Sequence, residues 1–85
     1  TRVLAGELGP RGIRVNAIAP GSVPTPATEG FVTAEQYAER AKHIPLRRNG
    51  TPEDVAQAAA FLLSDEAAFI NGAMLAIDGG IIAAG

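Results

Sequence analysis

The residues best suited to bind a ligand follow a predicted strand that ends at Ala19. Pro20 and Gly21 form a turn signal, and the chain continues as Ser22-Val23-Pro24-Thr25. Because glycine has no Cβ, the backbone there can approach a ligand closely. Open α/β sheets bind ligands beyond the carboxyl ends of their strands, which makes this turn a candidate binding loop. The alternative is that the turn only redirects the chain and that Thr25 caps a local turn.

Other residue types that carry acid–base or phosphate chemistry are poorly placed in this sequence. His43 is the only histidine; histidine as a type titrates near neutrality, but this one has no evident carboxylate partner, and we predict a surface or loop position. Gly6, Gly9 and Gly12 are spaced like a phosphate loop, but they follow a helix rather than a strand. Ser22 lacks the glycine two positions later that a nucleophile elbow requires.

The composition excludes several classes of partner. The net charge is −2 and the only close basic pair is Arg47-Arg48, whereas nucleic-acid binding normally needs a basic patch. With no cysteine there is neither a disulfide nor a thiolate metal site. No apolar run approaches the roughly 20 residues of a membrane helix. These features predict a cytoplasmic protein with no metal site, no nucleic-acid partner and no membrane partner.

Two elements precede the candidate turn. Apolar residues at helical spacing within 4–8 predict the end of an amphipathic helix, which Gly9-Pro10 stops. Residues 13–19 alternate in polarity and predict a strand that Pro20-Gly21 ends. Thr1 offers no convincing cap for the first helix, and we therefore expect further chain upstream of it.

Residues 22–50 form a long excursion that its prolines keep out of a sheet or a long helix. Thr33 and Gln36 have the spacing of a capping box and predict a short helix over residues 34–42. Long loops of this kind are more often functional than accidental. The apolar side chains of the excursion either line a pocket or pack the short helix down, and the sequence leaves both open; they are Phe31, Val32 and Tyr37.

A second helix and a second strand complete the pattern. Thr51 at the N-cap and Pro52 at the first helical position predict a helix start, and an apolar stripe continues to Leu63. Residues 73–77 are apolar throughout and predict a short strand covered on both faces, as parallel strands usually are. Two strands with a helix between them form a parallel crossover, the unit of a doubly wound sheet. The predicted fold class is therefore α/β, in the order helix end, strand, excursion, helix, strand.

Several short motifs occur in a fixed order along essentially the whole chain. They are Leu4 to Gly21, Pro45-Leu46, Arg48, Gly50, Thr51 to Ala56, Phe61 to Ser64, Asn71-Gly72 and Ile77 to Gly80. The ordered set resembles the C-terminal third of the short-chain dehydrogenase/reductase family. The resemblance implies that residues 1–85 are the C-terminal segment of a single Rossmann-type domain, with 22–50 as its variable substrate-loop region.

The family transfers hydride between a nicotinamide cofactor, NAD or NADP, and an alcohol or ketone. The resemblance implies that Val23 offers backbone groups to the carboxamide and that Thr25 offers its hydroxyl. The family's catalytic Tyr-x-x-x-Lys pair is missing, because Tyr37, the only tyrosine, is followed four positions later by Ala41. The resemblance therefore implies no catalytic residue in this chain, and it leaves the substrate and the choice of cofactor open. The implied cofactor-binding residues are Pro20, Gly21, Val23 and Thr25.

The resemblance also implies a homo-oligomer, either a dimer or a tetramer, or association with a missing N-terminal part. The apolar end, residues 81–84, is predicted to be buried against something. A rival hypothesis is a complete, non-catalytic module that self-associates through the second helix and second strand, or a remnant of the family without activity. A stand-alone module should begin with a cap and end in a polar tail, and neither feature is present. The pattern therefore favours the enzyme segment.

Overall fold

The computed structural model describes residues 1–83, and in that range two parallel strands lie beside three α-helices. None of the described helices, the longest having 12 residues, is long and apolar enough to cross a membrane. The order of elements confirms the predicted α/β alternation. The helices are α1 (Arg2–Leu8), α2 (Ala34–His43) and α3 (Pro52–Leu63), the strands are β1 (Ala17–Pro20) and β2 (Met74–Ile77), and 3-10 turns lie at Gly9–Arg11, Pro26–Thr28 and Asp65–Ala67.

The two strands pair in parallel, as predicted. Ala17 lies opposite Met74, and Pro20 lies opposite Ile77. The pairing continues past β1, because the backbone N–H of Gly21 donates to the carbonyl of Ile77 at 2.9 Å. In a parallel pair both strands run the same way, so the carboxyl ends of β1 and β2 lie at one edge of the sheet.

The first strand is shorter than predicted, because residues 13–16 lie outside the ladder. The N–H of Val15 donates to Asn71 Oδ1 at 2.9 Å, and its carbonyl accepts from the N–H of Gly72 at 2.8 Å. Gly72 has a φ of +78°, so the neighbouring chain is still turning there and β2 begins only at Met74. Alternating polarity reports the surroundings of side chains, whereas a ladder also needs a continuous partner. The predicted strand start at residue 13 was therefore wrong.

Side chains replace the ladder in the segment before β1. The guanidinium of Arg14 donates to three carbonyls: Leu62 at 2.8 Å, Ser64 at 3.2 Å and Ile70 at 3.3 Å. Asn16 Nδ2 donates to the same Ile70 carbonyl at 3.0 Å. The last carbonyls of a helix have no partner within it, so Arg14 satisfies the carboxyl end of α3. These bonds fix α3 against the chain that leads into β1.

Both predicted helix caps are present. Thr33 Oγ1 accepts from the N–H of Gln36 at 3.1 Å, and Gln36 Oε1 accepts from the N–H of Thr33 at 2.8 Å. The same exchange opens α3, where Thr51 Oγ1 accepts from the N–H of Asp54 at 3.1 Å and Asp54 Oδ2 accepts from the N–H of Thr51 at 2.8 Å. The helix predicted over residues 34–42 is confirmed, and it ends one residue later.

The core of the described chain is small, and the apolar faces of β2 lie open. Met74 is 71% exposed, and Leu75 and Ile82 are exposed as well. The prediction that the second strand is covered on both faces is therefore wrong within this chain. Residues 81–83 are exposed in part or in full here, and their predicted burial against something stays a prediction; Ala84 lies outside the described residues. The cause is that, among the described elements, only α3 packs against both strands. The buried side chains are Ala5, Ile44, Leu62 and Ala67.

Candidate functional site

The candidate binding turn lies where the carboxyl ends of β1 and β2 meet. A Cβ placed on Gly21 would lie 2.8 Å from Asp78 Cβ and 2.9 Å from Asp78 Cα. Those distances are shorter than real Cβ contacts, so a larger residue could not let the two strand ends approach this closely. The close approach predicted for Gly21 is thus made to the neighbouring strand end, and its approach to a ligand stays a prediction.

Thr25 lies at the far end of this turn and begins a 3-10 turn. Its N–H donates to Thr28 Oγ1 at 3.1 Å, and Thr28 Oγ1 donates to the Thr25 carbonyl at 2.9 Å. Thr25 is thus the N-cap residue of this 3-10 turn, which agrees with the alternative prediction that it caps a local turn. Its role toward a cofactor stays a prediction, as do those of Pro20 and Val23.

Val23 offers unused backbone groups at the centre of the turn. The residue is half-buried, and its side chain packs against Gly50, where an added Cβ would lie 3.1 Å from Val23 Cγ2. Among the described residues no hydrogen bond occupies the N–H or the carbonyl of Val23. A donor and an acceptor side by side are complementary to a ligand that carries both, as a primary carboxamide does.

A hydrogen-bonded bridge joins the turn to the excursion. Ser22 Oγ donates to Asn49 Oδ1 at 2.7 Å, and Asn49 Nδ2 donates to the Tyr37 carbonyl at 2.9 Å. Beside it the N–H of Gly50 donates to the Ser22 carbonyl at 2.9 Å. Sequence reasoning missed Asn49, because no local pattern marks a bond between residues 27 positions apart. The bridge fixes the turn and α2 relative to each other.

Of the excursion's apolar residues, Tyr37 packs the short helix down. Its hydroxyl donates to Thr28 Oγ1 at 2.9 Å, which ties α2 to the 3-10 turn. The guanidinium of Arg40 lies 5.4 Å from the centroid of the Tyr37 ring, a cation–π distance. Val32 is half-buried, whereas the side chain of Phe31 is 84% exposed. The packing alternative therefore holds for Tyr37.

An apolar cavity of about 830 Å³ lies beside the carboxyl end of β2. Ser22 is the one residue of the turn that borders it. In the described part of the chain none of the four predicted cofactor residues lines this cavity. Its walls include Ile44, Leu46, Arg48, Ile77 and Gly80.

The chain that leaves β2 makes a tight turn at Asp78-Gly79-Gly80. Gly79 has a φ of +66° and Gly80 a φ of +100°. The Asp78 carboxylate accepts from the N–H of Gly80 at 2.9 Å and from that of Ile82 at 3.1 Å. These bonds favour the charged form, so they hold the pKa of Asp78 below its ordinary value. Asp78 acts here as the structural residue of a turn.

His43 is exposed at the end of α2, which confirms the predicted surface position. Its Nε2 lies 3.5 Å from Glu39 Oε1, so the expectation that it lacks a carboxylate neighbour was wrong. Glu39 precedes it by one helical turn, which places the two side chains on the same face. Within residues 1–83 no group of three or more histidine, aspartate or glutamate side chains could hold a metal ion.

Arg48 and Asp54 form an ion pair beside the bridge. Arg48 Nη1 donates to Asp54 Oδ2 at 2.8 Å, and Arg48 Nη2 donates to Oδ1 at 3.4 Å. The hydrogen bond from Arg48, assisted by the N–H of Thr51, lowers the pKa of Asp54 from 3.8 to about 2. The pair therefore fixes the segment before α3 to the first turn of that helix.

Replacing Asp54 by asparagine should flatten the acid limb of the stability profile. Because the pKa of Asp54 is lower in the folded state, its carboxylate stabilises the fold above pH 3.8, and this stabilisation is lost as the pH falls from 3.8 through about 2. Unfolding midpoints of the intact protein across that window measure the slope. Glu53→Gln, in the same helical turn, is the control and should keep the wild-type slope. A wild-type slope in Asp54→Asn would contradict the assignment.

Comparison with known proteins extends over almost the whole chain. Residues 1–82 match the family model described as enoyl-(acyl carrier protein) reductase. The 3beta-hydroxysteroid dehydrogenase 1 of Eggerthella lenta is 50% identical over 82 residues, which cover 95% of this chain and 31% of that protein. This similarity is spread along the segment rather than confined to the candidate turn.

Solved structures of similar proteins share the fold. An oxidoreductase of the short-chain dehydrogenase/reductase family from Burkholderia thailandensis matches with a TM-score of 0.88 and 49% identity, over 96% of this chain and 33% of that one. A protein of Agrobacterium tumefaciens, described as a candidate 2-deoxy-D-gluconate 3-dehydrogenase and solved with bound NADP, matches with a TM-score of 0.87 and 44% identity, over 98% of this chain and 34% of that one. The chain spans about a third of the length of these relatives.

Proposed function

The chain belongs to the short-chain dehydrogenase/reductase family, and from that premise we propose that it forms the nicotinamide side of an NAD(P)-dependent oxidoreductase. The reaction is hydride transfer between the nicotinamide and an alcohol or ketone. In this proposal the excursion of residues 22–50 supplies the substrate loop, with α2 bordering the substrate, and α3 with β2 contacts another copy of the protein. The residues that face the cofactor are Pro20, Gly21, Val23 and Thr25.

The observation that carries the proposal is the fixed turn at the carboxyl edge of the sheet. Gly21 holds it against the end of β2, and Ser22 holds it against the excursion. Between them, the half-buried Val23 has an N–H and a carbonyl with no partner among the described residues. A turn that is already ordered loses little conformational freedom when a ligand binds. Its donor and acceptor fit the amide group and the carbonyl of a nicotinamide carboxamide.

The residues of this chain orient the reactants and do not move the proton. The cofactor, when bound, supplies or accepts the hydride. Val23 would hold the carboxamide through its backbone, and Thr25 would add its hydroxyl, so that the nicotinamide ring keeps one orientation. The hydroxyl of Tyr37 donates a hydrogen bond to Thr28 Oγ1 and so ties α2 to the 3-10 turn. Tyr37 also has no lysine four positions later. We assign the accompanying proton transfer to groups outside these 85 residues.

A pair of substitutions at Thr25 tests the proposal. In the intact protein, with NADH or NADPH and a panel of ketones, we expect oxidation of the reduced cofactor. Thr25→Val should raise the KM for the cofactor about tenfold, since a lost hydrogen bond is worth about that factor. Thr25→Ser keeps the hydroxyl and should stay near the wild-type value. Equal KM values in all three proteins would refute the role of Thr25, and a wild-type protein that binds neither cofactor would refute the proposal.

A second candidate function, a non-catalytic module that self-associates, is favoured by the open apolar side chains. Phe69 is fully exposed, and Leu63 and Met74 are largely exposed. Exposed apolar groups of this size often mark a surface that another protein covers. Sedimentation of the intact protein at micromolar concentration, together with a titration with NAD and NADP, distinguishes the outcomes. An oligomer that binds neither dinucleotide would favour the self-associating module. A monomer that binds neither dinucleotide would contradict both functions.

A further inference from the structure

Asn49 lies between two parts of the molecule that the proposed function assigns to different ligands. On one side is Ser22, in the turn assigned to the cofactor, and on the other is Tyr37, in the helix of the substrate loop. The side-chain amide uses both of its ends, since Oδ1 accepts from Ser22 at 2.7 Å and Nδ2 donates to the Tyr37 carbonyl at 2.9 Å. Asn49 is half-buried, so water competes less for these bonds than at an exposed site.

The backbone around Asn49 is held from a third side. Arg48 Nη1 donates to the Asn49 carbonyl at 3.1 Å and to Asp54 in the first turn of α3 at 2.8 Å. The next residue, Gly50, donates its N–H to the Ser22 carbonyl. The backbone that carries the Asn49 side chain is therefore held in place, and the two bonds of the side-chain amide set the distance between the turn and α2.

We propose that Asn49 is a positioning residue that couples the substrate loop to the cofactor turn. The inference rests on the proposed function and extends it. The Ser22 bond orients the turn in which Val23 meets the carboxamide, and the Tyr37 bond orients the helix that borders the substrate. One amide therefore sets the geometry of both binding surfaces, without touching either ligand.

Only an amide of this length can serve both bonds, because one end must accept and the other must donate. Aspartate keeps an acceptor for Ser22 but has no donor, and it places a carboxylate oxygen against the Tyr37 carbonyl. Alanine at position 49 removes both bonds. Alanine at position 22 removes the Ser22 bond alone and leaves the bond from Asn49 to Tyr37 intact.

In the intact protein these three variants should change the KM for the cofactor and the KM for the ketone in different ways. Ser22→Ala should raise the KM for the nicotinamide cofactor about fivefold and leave the KM for the ketone near wild type. Asn49→Asp should do the opposite, with the KM for the ketone raised about fivefold. Asn49→Ala should raise both. The cofactor KM is measured at saturating ketone, and the ketone KM at saturating cofactor.

The result also separates positioning from a purely structural role. If Asn49 only stabilised the fold, its substitution would lower the unfolding midpoint. Ser22→Ala would then not raise the cofactor KM alone, and Asn49→Asp would not raise the ketone KM alone. Wild-type KM values in Ser22→Ala and Asn49→Asp, with the wild type active, would overturn the inference while leaving the proposed function standing. A wild type that binds neither NAD nor NADP would overturn the proposed function itself. If Asn49→Ala does not fold, the other two variants carry the test.

Discussion

Replacing Gly79 by alanine is expected to lower the free energy of unfolding by about 3 kcal/mol, from a left-handed backbone and an overpacked contact together. Gly79 has a φ of +66°, which L-residues with a Cβ rarely adopt. An added Cβ would lie 2.6 Å from Cγ2 of Ile44, which is 2% exposed and the largest fully buried side chain of the described chain. Since Ile44 is branched at Cβ and enclosed, it cannot turn away.

A matched glycine isolates the contact from the backbone strain. Gly30 has a φ of +85°, yet a Cβ there would meet nothing within 4 Å. Gly30→Ala should therefore cost about 1 kcal/mol, the backbone strain alone. Denaturant unfolding of the intact protein measures both variants. If Gly79→Ala is no less stable than Gly30→Ala, the packing of the β2 exit against Ile44 is not as described.

Replacing Gly21 by alanine is expected to weaken dinucleotide binding about 100-fold, because displacing the turn loses the two backbone hydrogen bonds proposed for Val23, each worth about tenfold. The added Cβ would lie 2.9 Å from Asp78 Cα. A backbone atom cannot rotate aside, so the two strand ends must separate. That movement strains the bond from the Gly21 N–H to the Ile77 carbonyl and shifts the turn that carries Val23.

Calorimetric titration of the intact protein with NAD and NADP measures this loss. The control is Gly6→Ala, because Gly6 lies inside α1 and an added Cβ there meets nothing within 4 Å. Alanine in a helix interior is favoured over glycine by about 0.5–1 kcal/mol, so the control should bind as wild type and be at least as stable. Wild-type binding by Gly21→Ala would mean that the turn does not hold the cofactor.

Local signals in the sequence predicted most of the helical structure. The Thr33 and Gln36 spacing placed α2 to within one residue, and the Thr51-Pro52 start placed α3. Such signals work because a capping box closes within four residues and depends little on the rest of the chain. The parallel pairing of the strands followed from their order with a helix between them.

Features that depend on distant partners were not predictable in this way. The strand prediction from residue 13 failed because the neighbouring chain is still turning at Gly72. The covered faces expected for β2 are absent from the described chain, since covering depends on atoms that this segment does not supply. Asn49 carried no local pattern, because its partner Ser22 lies 27 residues away. The roles proposed for the turn toward a cofactor come from family membership, which no single local pattern establishes.

The most direct test of the account is to map which backbone groups the nicotinamide contacts. Amide chemical shifts of the isotope-labelled intact protein are compared with NAD or NADP bound and with the matching ADP-ribose bound, which lacks only the nicotinamide. We predict that the difference between the two complexes is large at Val23 and Thr25 and small at Gly30, in the same excursion. Binding of the whole cofactor with no nicotinamide-dependent shift at Val23 or Thr25 would contradict it.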